Sequence, residues 1–223
     1  MKITIFNGSP KGMYSNTDVL AQAFIEGAKQ AGAETANVYL INQDIKHCTG
    51  CFSCWFRTPG NCIINDDMSE LLDIYKNSDI VCFGTPVYLW NMTACLKNFL
   101  DRLIPVKSPN VQQNDGSFDM ADGHFKMPEV IIISNAGFPG NNNFDTLKKV
   151  MEPAQPILEI YRNCGMLLRA GDERIQQIVS EYLSYVTQAG YQIASDGKIT
   201  GDVANGLNME LMTVPEYVKY ISK

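Results

Sequence analysis

The chain is short of basic charge and of long apolar runs, and each shortage removes a class of function. Its 223 residues carry 18 Lys and Arg against 24 Asp and Glu, a formal net charge of -6. Such a balance offers no basic field to nucleic acid or to an anionic membrane surface, and neither partner is expected. No stretch approaches the roughly 20 apolar residues that cross a bilayer. The first residues enter a strand with no charged n-region and apolar h-region before them, so the expected location is cytoplasmic. Internal repeats, low-complexity segments and linker-like stretches are also absent. The expectation is one domain over 1–190 with an insertion at about 104–128, followed by an extension over 191–223.

What is present begins at the first residue. Lys2 to Asn7 concentrate β-formers and break into Gly8-Ser9-Pro10-Lys11-Gly12, and Ser15-Asn16-Thr17 open an apolar-periodic helix. A strand, loop and helix in that order aim free backbone N–H groups at one point before a helix N-terminus. The hydroxyls of Ser9, Ser15 and Thr17, the Asn16 amide and Lys11 stand ready to add donors. The natural ligand is a terminal phosphate; Ser15, Asn16 and Thr17 are equally ordinary helix caps. The loop lacks both G-x-x-x-x-G-K-[ST] and G-x-G-x-x-G, which disfavours an NTPase cradle and a Rossmann dinucleotide site.

Further along, Gly32 stops the first helix before a strand over Thr35 to Leu40, and a cysteine-rich loop spans about Asn42 to Asn65. Asp66 and Asp67 read as caps of a short helix. Ile80 to Phe83 and Val130 to Ser134 are continuous apolar runs, as expected of strands buried on both faces. Gly165 to Arg169 is read as a short fifth strand, and a helix through Ile175 and Val186 is expected to end at Gly190. Residues 104–128 show no period, with Asn114-Asp115-Gly116 as a turn. Strands alternating with helices imply an α/β fold: a doubly wound, five-stranded parallel sheet of order 2-1-3-4-5 with helices on both faces. Its ligand site lies beyond the carboxyl ends of strands 1, 3 and 4, where Gly8 to Thr17, Thr85 to Thr93 and Asn135 to Gly140 fall.

Two constellations carry chemistry. Thr85-Pro86-Val87-Tyr88-Leu89-Trp90-Asn91-Met92 places two large aromatics in a loop, where a flat amphipathic ligand gives them a partner. Tyr88 or Trp90 against an isoalloxazine, with N–H groups of Trp90 and Asn91 on its N1 and O2 edge, would favour reduced flavin. Packing on the following helix is the plainer alternative. Cys48, Cys51, Cys54 and Cys62 form C-x2-C-x2-C-x7-C, a spacing that lets three thiols wrap a 4Fe-4S cubane and a fourth reach back. Zinc is the structural alternative, and thiols without any metal are the third. His47, beside the first cysteine, is placed to tune a cluster or donate a proton, although a lone loop histidine is ordinarily solvated; His124 is assigned no role. Cys82, Cys95 and Cys164 read as small hydrophobes.

These motifs, with Ala94-x-Leu96-Lys97-x-Phe99-x-Asp101-Arg102 after the aromatic loop, resemble the NADPH-dependent FMN reductase family of flavodoxin-like proteins, particularly its iron-sulfur flavoprotein branch. The resemblance covers Met1 to about Arg102. It implies FMN phosphate on Ser9, Ser15, Asn16 and Thr17, with Lys11 as the basic residue of the loop. It implies the isoalloxazine against Pro86, Val87, Tyr88, Leu89, Trp90 and Asn91, with Asn135, Ala136 and Gly137 beside the ring. Cys48, Cys51, Cys54 and Cys62 become the cluster ligands. The expected activity is an FMN-dependent oxidoreductase that moves electrons from NAD(P)H or a reduced carrier protein to a small-molecule acceptor, with the flavin carrying the chemistry and no residue needed as nucleophile. A flavodoxin-type electron carrier and a zinc-stabilised binding module are the alternatives. Homodimers or homotetramers are implied, with 104–128 and 191–223 as candidate contacts.

Overall fold

A computed structural model describes residues 1–114, 117–122 and 125–222. Five strands form one parallel sheet: β1 (Lys2–Asn7), β2 (Glu34–Tyr39) and β3 (Ile80–Pro86), joined by two strands from later in the chain. A two-stranded antiparallel hairpin, β4 (Lys107–Asn114) and β5 (Ser117–Asp122), comes between them and stands outside the sheet. The sheet is completed by β6 (Glu129–Asn135) and β7 (Leu158–Arg162), in the spatial order β2-β1-β3-β6-β7. With the hairpin set aside, this is the 2-1-3-4-5 order expected from the alternation of elements.

Helices cover both faces. On one side α1 (Asn16–Gln30) and α6 (Glu173–Asp196) pack on Ile3, Ile5, Ile80, Cys82, Ile131 and Ile133. On the other, α3 (Met68–Lys76), α4 (Ala94–Asp101) and α5 (Asp145–Met151) cover Phe6, Val81, Phe83, Val130 and Ile132, with Phe6 stacked on Phe99 at 4.5 Å. The alternation of one strand between two cores is why the central strands read as unbroken apolar runs. A one-turn helix, α2 (Ser53–Phe56), sits in the cysteine loop, and α7 (Gly201–Leu207) and α8 (Val214–Ile221) close the chain. Val203, Leu207 and Tyr217 are buried in the α1–α6 core.

Three expectations are corrected. The fifth strand is Leu158–Arg162, and Gly165–Arg169 forms 3-10 turns. β7 borders the sheet on one side only, so Leu158 and Ile160 are buried while Glu159 is exposed, a short half-polar pattern. The helix through Ile175 continues past Gly190 to Asp196: Gly190 is a point of close approach, where a Cβ would lie 2.0 Å from the Phe24 carbonyl oxygen of α1. Part of the 104–128 stretch is the β4–β5 hairpin, whose strands are rich in Asn, Gln, Ser and Asp and show no hydrophobic period in sequence. Asp115, Gly116 and His124 lie outside the described residues. No helix among the described residues is long and apolar enough to cross a membrane.

Candidate functional site

The chain leaves β1 at Asn7 and is locked at once. The Gly8 N–H donates to the Gly84 carbonyl at 2.7 Å, and a Cβ on Gly8 would come 2.6 Å from the Leu96 Cβ, so only glycine lets the strand end pass over α4. Thr93 caps α4 from the opposite side, donating its hydroxyl to the Gly8 carbonyl and accepting from the Leu96 N–H. Ser9, Ser15 and Thr17 are all buried. Ser15 Oγ accepts from the Asp18 N–H at 3.0 Å and donates to the Gly12 carbonyl at 2.7 Å. Thr17 Oγ1 donates to Asn135 Oδ1 at 3.1 Å. These hydroxyls therefore shape the loop from inside. The N–H groups of Asn16 and Thr17, in the first turn of α1, find no acceptor among the described residues. Lys11 is exposed beside them.

Two residues of this corner escape motif reading. Asp18 is buried in the first turn of α1, and Oδ1 accepts from Asn37 Nδ2 at 2.8 Å and Tyr39 Oη at 2.9 Å. Burial, followed by this bond to Asp18, pushes the Tyr39 phenol up. Asn7 links Asp18 to the loop, since its amide donates to Asp18 and its Oδ1 accepts from the Ser9 N–H at 3.1 Å. Arg169 reaches the loop from the far end of the chain, donating to the Met13 and Ser15 carbonyls at 3.0 and 3.1 Å. Its separation of 154 residues from Ser15 leaves no local signal.

The loops after β3 and β6 join the same edge. The Val87 N–H donates to the Asn135 carbonyl at 2.8 Å, so one asparagine ties all three loops together through its backbone and its side chain. Pro86 and Val87 are half-buried, whereas Tyr88, Leu89 and Trp90 project into solvent. Tyr88 and Asn91 exchange both backbone hydrogen bonds, at 2.9 and 3.1 Å, across Leu89 and Trp90, whose φ angles are +46° and +63°. The Asn91 N–H is thus engaged with Tyr88, while that of Trp90 has no acceptor among the described residues. Two non-glycine residues at positive φ make this a strained turn, the kind of backbone that clusters at ligand clamps. Ala136 is buried, Gly137 is exposed, and Phe138 beyond them is 68% exposed.

The cysteine loop lies apart from this edge, below α4. Cys48, Cys51, Cys54 and Cys62 all line one cavity of about 300 Å³, together with Phe52, Ile63, Arg102 and Pro105. Cys54 is buried and Cys48 and Cys51 are exposed; all four are free thiols. Burial, with the neighbouring thiols of Cys62, Cys51 and Cys48 adding to it, pushes the Cys54 thiol up, and hydrogen bonds from Ser53 pull that of Cys51 down. Trp55 pins α2 by donating Nε1 to the Lys107 carbonyl at 2.9 Å and by stacking on Phe52. No three His, Cys, Asp or Glu side chains among the described residues form a ready-made ligand cluster. Four thiols on the wall of one cavity are the donor set of a 4Fe-4S cubane and equally that of a structural zinc. His47 Nδ1 lies 3.0 Å from Asn98 Oδ1 and is exposed. Cys82 is fully buried, with its thiol pushed far up by burial, and Cys164 is also buried, in keeping with packing roles.

One ion pair holds the loop closed. Arg102 donates to Asp66 through both terminal nitrogens, at 2.6 and 3.0 Å, and both side chains are almost wholly excluded from solvent. Burial alone would raise the Asp66 carboxyl, but the bonds from Arg102 and from the Lys46 and Met68 N–H groups hold it below the usual range. Asp66 thus does more than cap α3, and Asp67 turns its carboxylate to the Asp44 N–H at 2.7 Å.

With that geometry in view, the chain can be set beside known proteins. The sequence model of the NADPH-dependent FMN reductase family matches residues 1–115. An iron-sulfur flavoprotein of Archaeoglobus fulgidus is 36% identical over 215 residues, covering 88% of this chain and 96% of its own length. One from Methanosarcina thermophila is 36% identical over 111 residues, 49% of this chain and 56% of that protein. Among solved structures, an NAD(P)H:quinone oxidoreductase from Methanothermobacter marburgensis superposes with a TM-score of 0.62 at 17% identity, covering 86% of this chain and 96% of its own. An FMN-dependent NADH-azoreductase from Bacillus anthracis gives 0.62 at 15% identity, covering 86% and 99%. At such identity these two establish the flavodoxin-like fold alone. The sequence matches settle the rest: the chain is an oxidoreductase belonging to the iron-sulfur flavoprotein branch of the NADPH-dependent FMN reductase family.

Proposed function

We propose that this protein binds FMN at the edge formed by the loops after β1, β3 and β6, takes electrons from NAD(P)H or a reduced carrier protein, and delivers them to a small acceptor with the help of a 4Fe-4S cluster at Cys48, Cys51, Cys54 and Cys62. The observation that supports the reading most is the knitting of those three loops by Asn135, at the switch point where a doubly wound sheet holds its ligand. The unpartnered N–H groups of Asn16 and Thr17 would take the phosphate, with Ser9 and Ser15 shaping the loop and Lys11 adding charge. Pro86, Val87, Tyr88, Leu89, Trp90 and Asn91 would face the ring on one side, and Asn135, Ala136 and Gly137 would border it. Bound FMN supplies a centre that accepts a hydride and releases single electrons. The residues bind, orient and shield it, and no side chain is required as nucleophile.

The proposed assembly is a homodimer or homotetramer. Val214, Val218 and Ile221 of α8 are exposed at helical spacing on one face, which supports a contact through the 191–223 segment. The test of the whole reading is anaerobic purification followed by FMN, iron, sulfide and zinc analysis, then rapid mixing with NADPH and with NADH. About four iron and four sulfide per chain with bound FMN are expected, and the flavin should bleach with at least one nucleotide or with a reduced carrier protein. Protein that holds FMN but stays oxidised with every donor is a flavodoxin-type carrier. Zinc without flavin would leave only the binding-module reading.

A further inference from the structure

Arg102 does more than close the cysteine loop. Its guanidinium is 1% exposed and stands on the wall of the four-cysteine cavity. Nη1 donates to Asp66 Oδ2 and to the Lys46 carbonyl at 2.5 Å, fixing the plane of the group. Nη2 donates to Asp66 Oδ1 and also lies 3.4 Å from Cys62 Sγ, within hydrogen-bond reach of sulfur. Nε, buried as well, has no acceptor among the described residues. Buried N–H donors without partners are rare because each forfeits its hydration, so an arginine kept here at that cost is held for its other contacts. An arginine needed only to neutralise Asp66 would have no reason to spend one N–H on a thiol sulfur.

We propose that Arg102, oriented by Asp66, is a positioning residue of the cluster site: it donates an N–H···S hydrogen bond from Nη2 to the Cys62 sulfur, and thereby raises the cluster's reduction potential. The inference rests on the 4Fe-4S reading of the four cysteines. Its physical basis is general. A cluster gains negative charge on reduction, so a fixed cation and its N–H donors favour the reduced form, and hydrogen bonds to the sulfurs are among the recognised determinants of potential. Lysine would keep the charge but lose the planar fork that lets one side chain serve Asp66 and Cys62 together.

The test uses the FMN-loaded, anaerobically reconstituted full chain. Iron and sulfide content is measured with the midpoint potential of the cluster, followed by electron paramagnetic resonance during a redox titration. Two variants are compared with the parent: Arg102→Lys, and the double variant Asp66→Asn with Arg102→Met, which removes both charges together and leaves no buried ion unpaired. Both should retain FMN. The double variant should titrate at a potential lower by at least about 59 mV, the equivalent of a tenfold change in the oxidised-to-reduced ratio of a one-electron couple. Arg102→Lys should recover only part of that shift. A parent that takes up no iron and sulfide overturns the cluster reading and this inference with it. A loaded parent and loaded variants with the same potential overturn this inference alone, as does loss of FMN and cluster together in both variants, which would make Arg102 a purely structural residue.

Discussion

The loop after β1 and the cysteine loop leave opposite kinds of group free for a ligand. In the first, the side chains are committed to the protein: Ser15 caps α1, Thr17 bonds to Asn135, and Asn7 braces Ser9 against Asp18. What stays unspent is backbone, the N–H groups at the start of α1. In the second, backbone turns from Phe52 to Asn61 and the Trp55 side chain hold the loop, and the unspent groups are the thiols themselves around a cavity. A phosphate is large, permanently charged and satisfied by any convergent N–H groups, so a rigid backbone suits it. An iron–sulfur cubane demands soft covalent ligands, and these must come from side chains. The first loop is therefore stabilised by many modest bonds. The second contains the strongest single interaction of the two, the buried pair between Asp66 and Arg102.

That contrast can be broken most sharply at Asp66. Replacing it by alanine leaves the Arg102 guanidinium buried with its charge uncompensated, and removal of one partner from such a pair costs roughly 3–5 kcal/mol. Asp66→Ala should shift the urea midpoint far below that of the parent and loosen the cysteine loop, seen as faster alkylation of Cys54 and Cys62 in metal-free protein. Within the phosphate-type loop the counterpart, Thr17→Val, removes one hydrogen bond and leaves Asn135 Oδ1 without its donor, a loss of about 1–3 kcal/mol. Equal losses in the two variants would mean that the ion pair carries no special weight.

The next largest effect is expected at Gly8. A methyl group there meets the Leu96 Cβ at 2.6 Å, and the Leu96 Cα and backbone N–H also stand close. None of these atoms swings aside, so β1 and α4 must separate, and overpacking of this kind costs roughly 1–3 kcal/mol. Gly8→Ala should lower stability by that amount and weaken FMN binding in a fluorescence titration, while leaving iron and sulfide content untouched. Loss of the metal group in this variant would show that the two sites are not separate.

How far the sequence disclosed this arrangement depends on where the determining partners lie. Ile80 to Phe83 and Val130 to Ser134 announce buried central strands because burial on both faces demands unbroken apolar runs. The fifth strand reads at Gly165–Arg169 because an edge strand with an exposed Glu159 and a half-buried Tyr161 shows only a short alternation. Gly190 reads as a stop signal, although its lack of a side chain serves contact with Phe24. The four cysteines are legible from spacing alone. Arg102 and Asp66 are 36 positions apart, and Arg169 and Ser15 are 154 apart. Pairings at that range carry no periodic or local signature, and only the folded chain reveals them.

The smallest effect tests whether the strain at the third loop serves the ligand. Leu89 and Trp90 hold positive φ in a two-residue turn of the kind that favours Asn-Gly, with Leu89 86% exposed and so contributing little packing in return. A non-glycine residue in the left-handed region costs about 1 kcal/mol or more. Leu89→Asn should therefore stabilise the protein by about 1 kcal/mol, or about 2–4 °C in Tm for a chain of this size. Adding Trp90→Gly completes the preferred pair and should raise Tm again, but it removes the ring proposed to lie against the flavin. In that double variant, flavin affinity should fall and the fluorescence of whatever flavin remains bound should recover from quenching. Stability and affinity would then move in opposite directions within one turn. A double variant that is more stable and still binds and quenches flavin as the parent does would assign the contact to another ring, with Phe138, 68% exposed on the neighbouring loop, the next to be replaced.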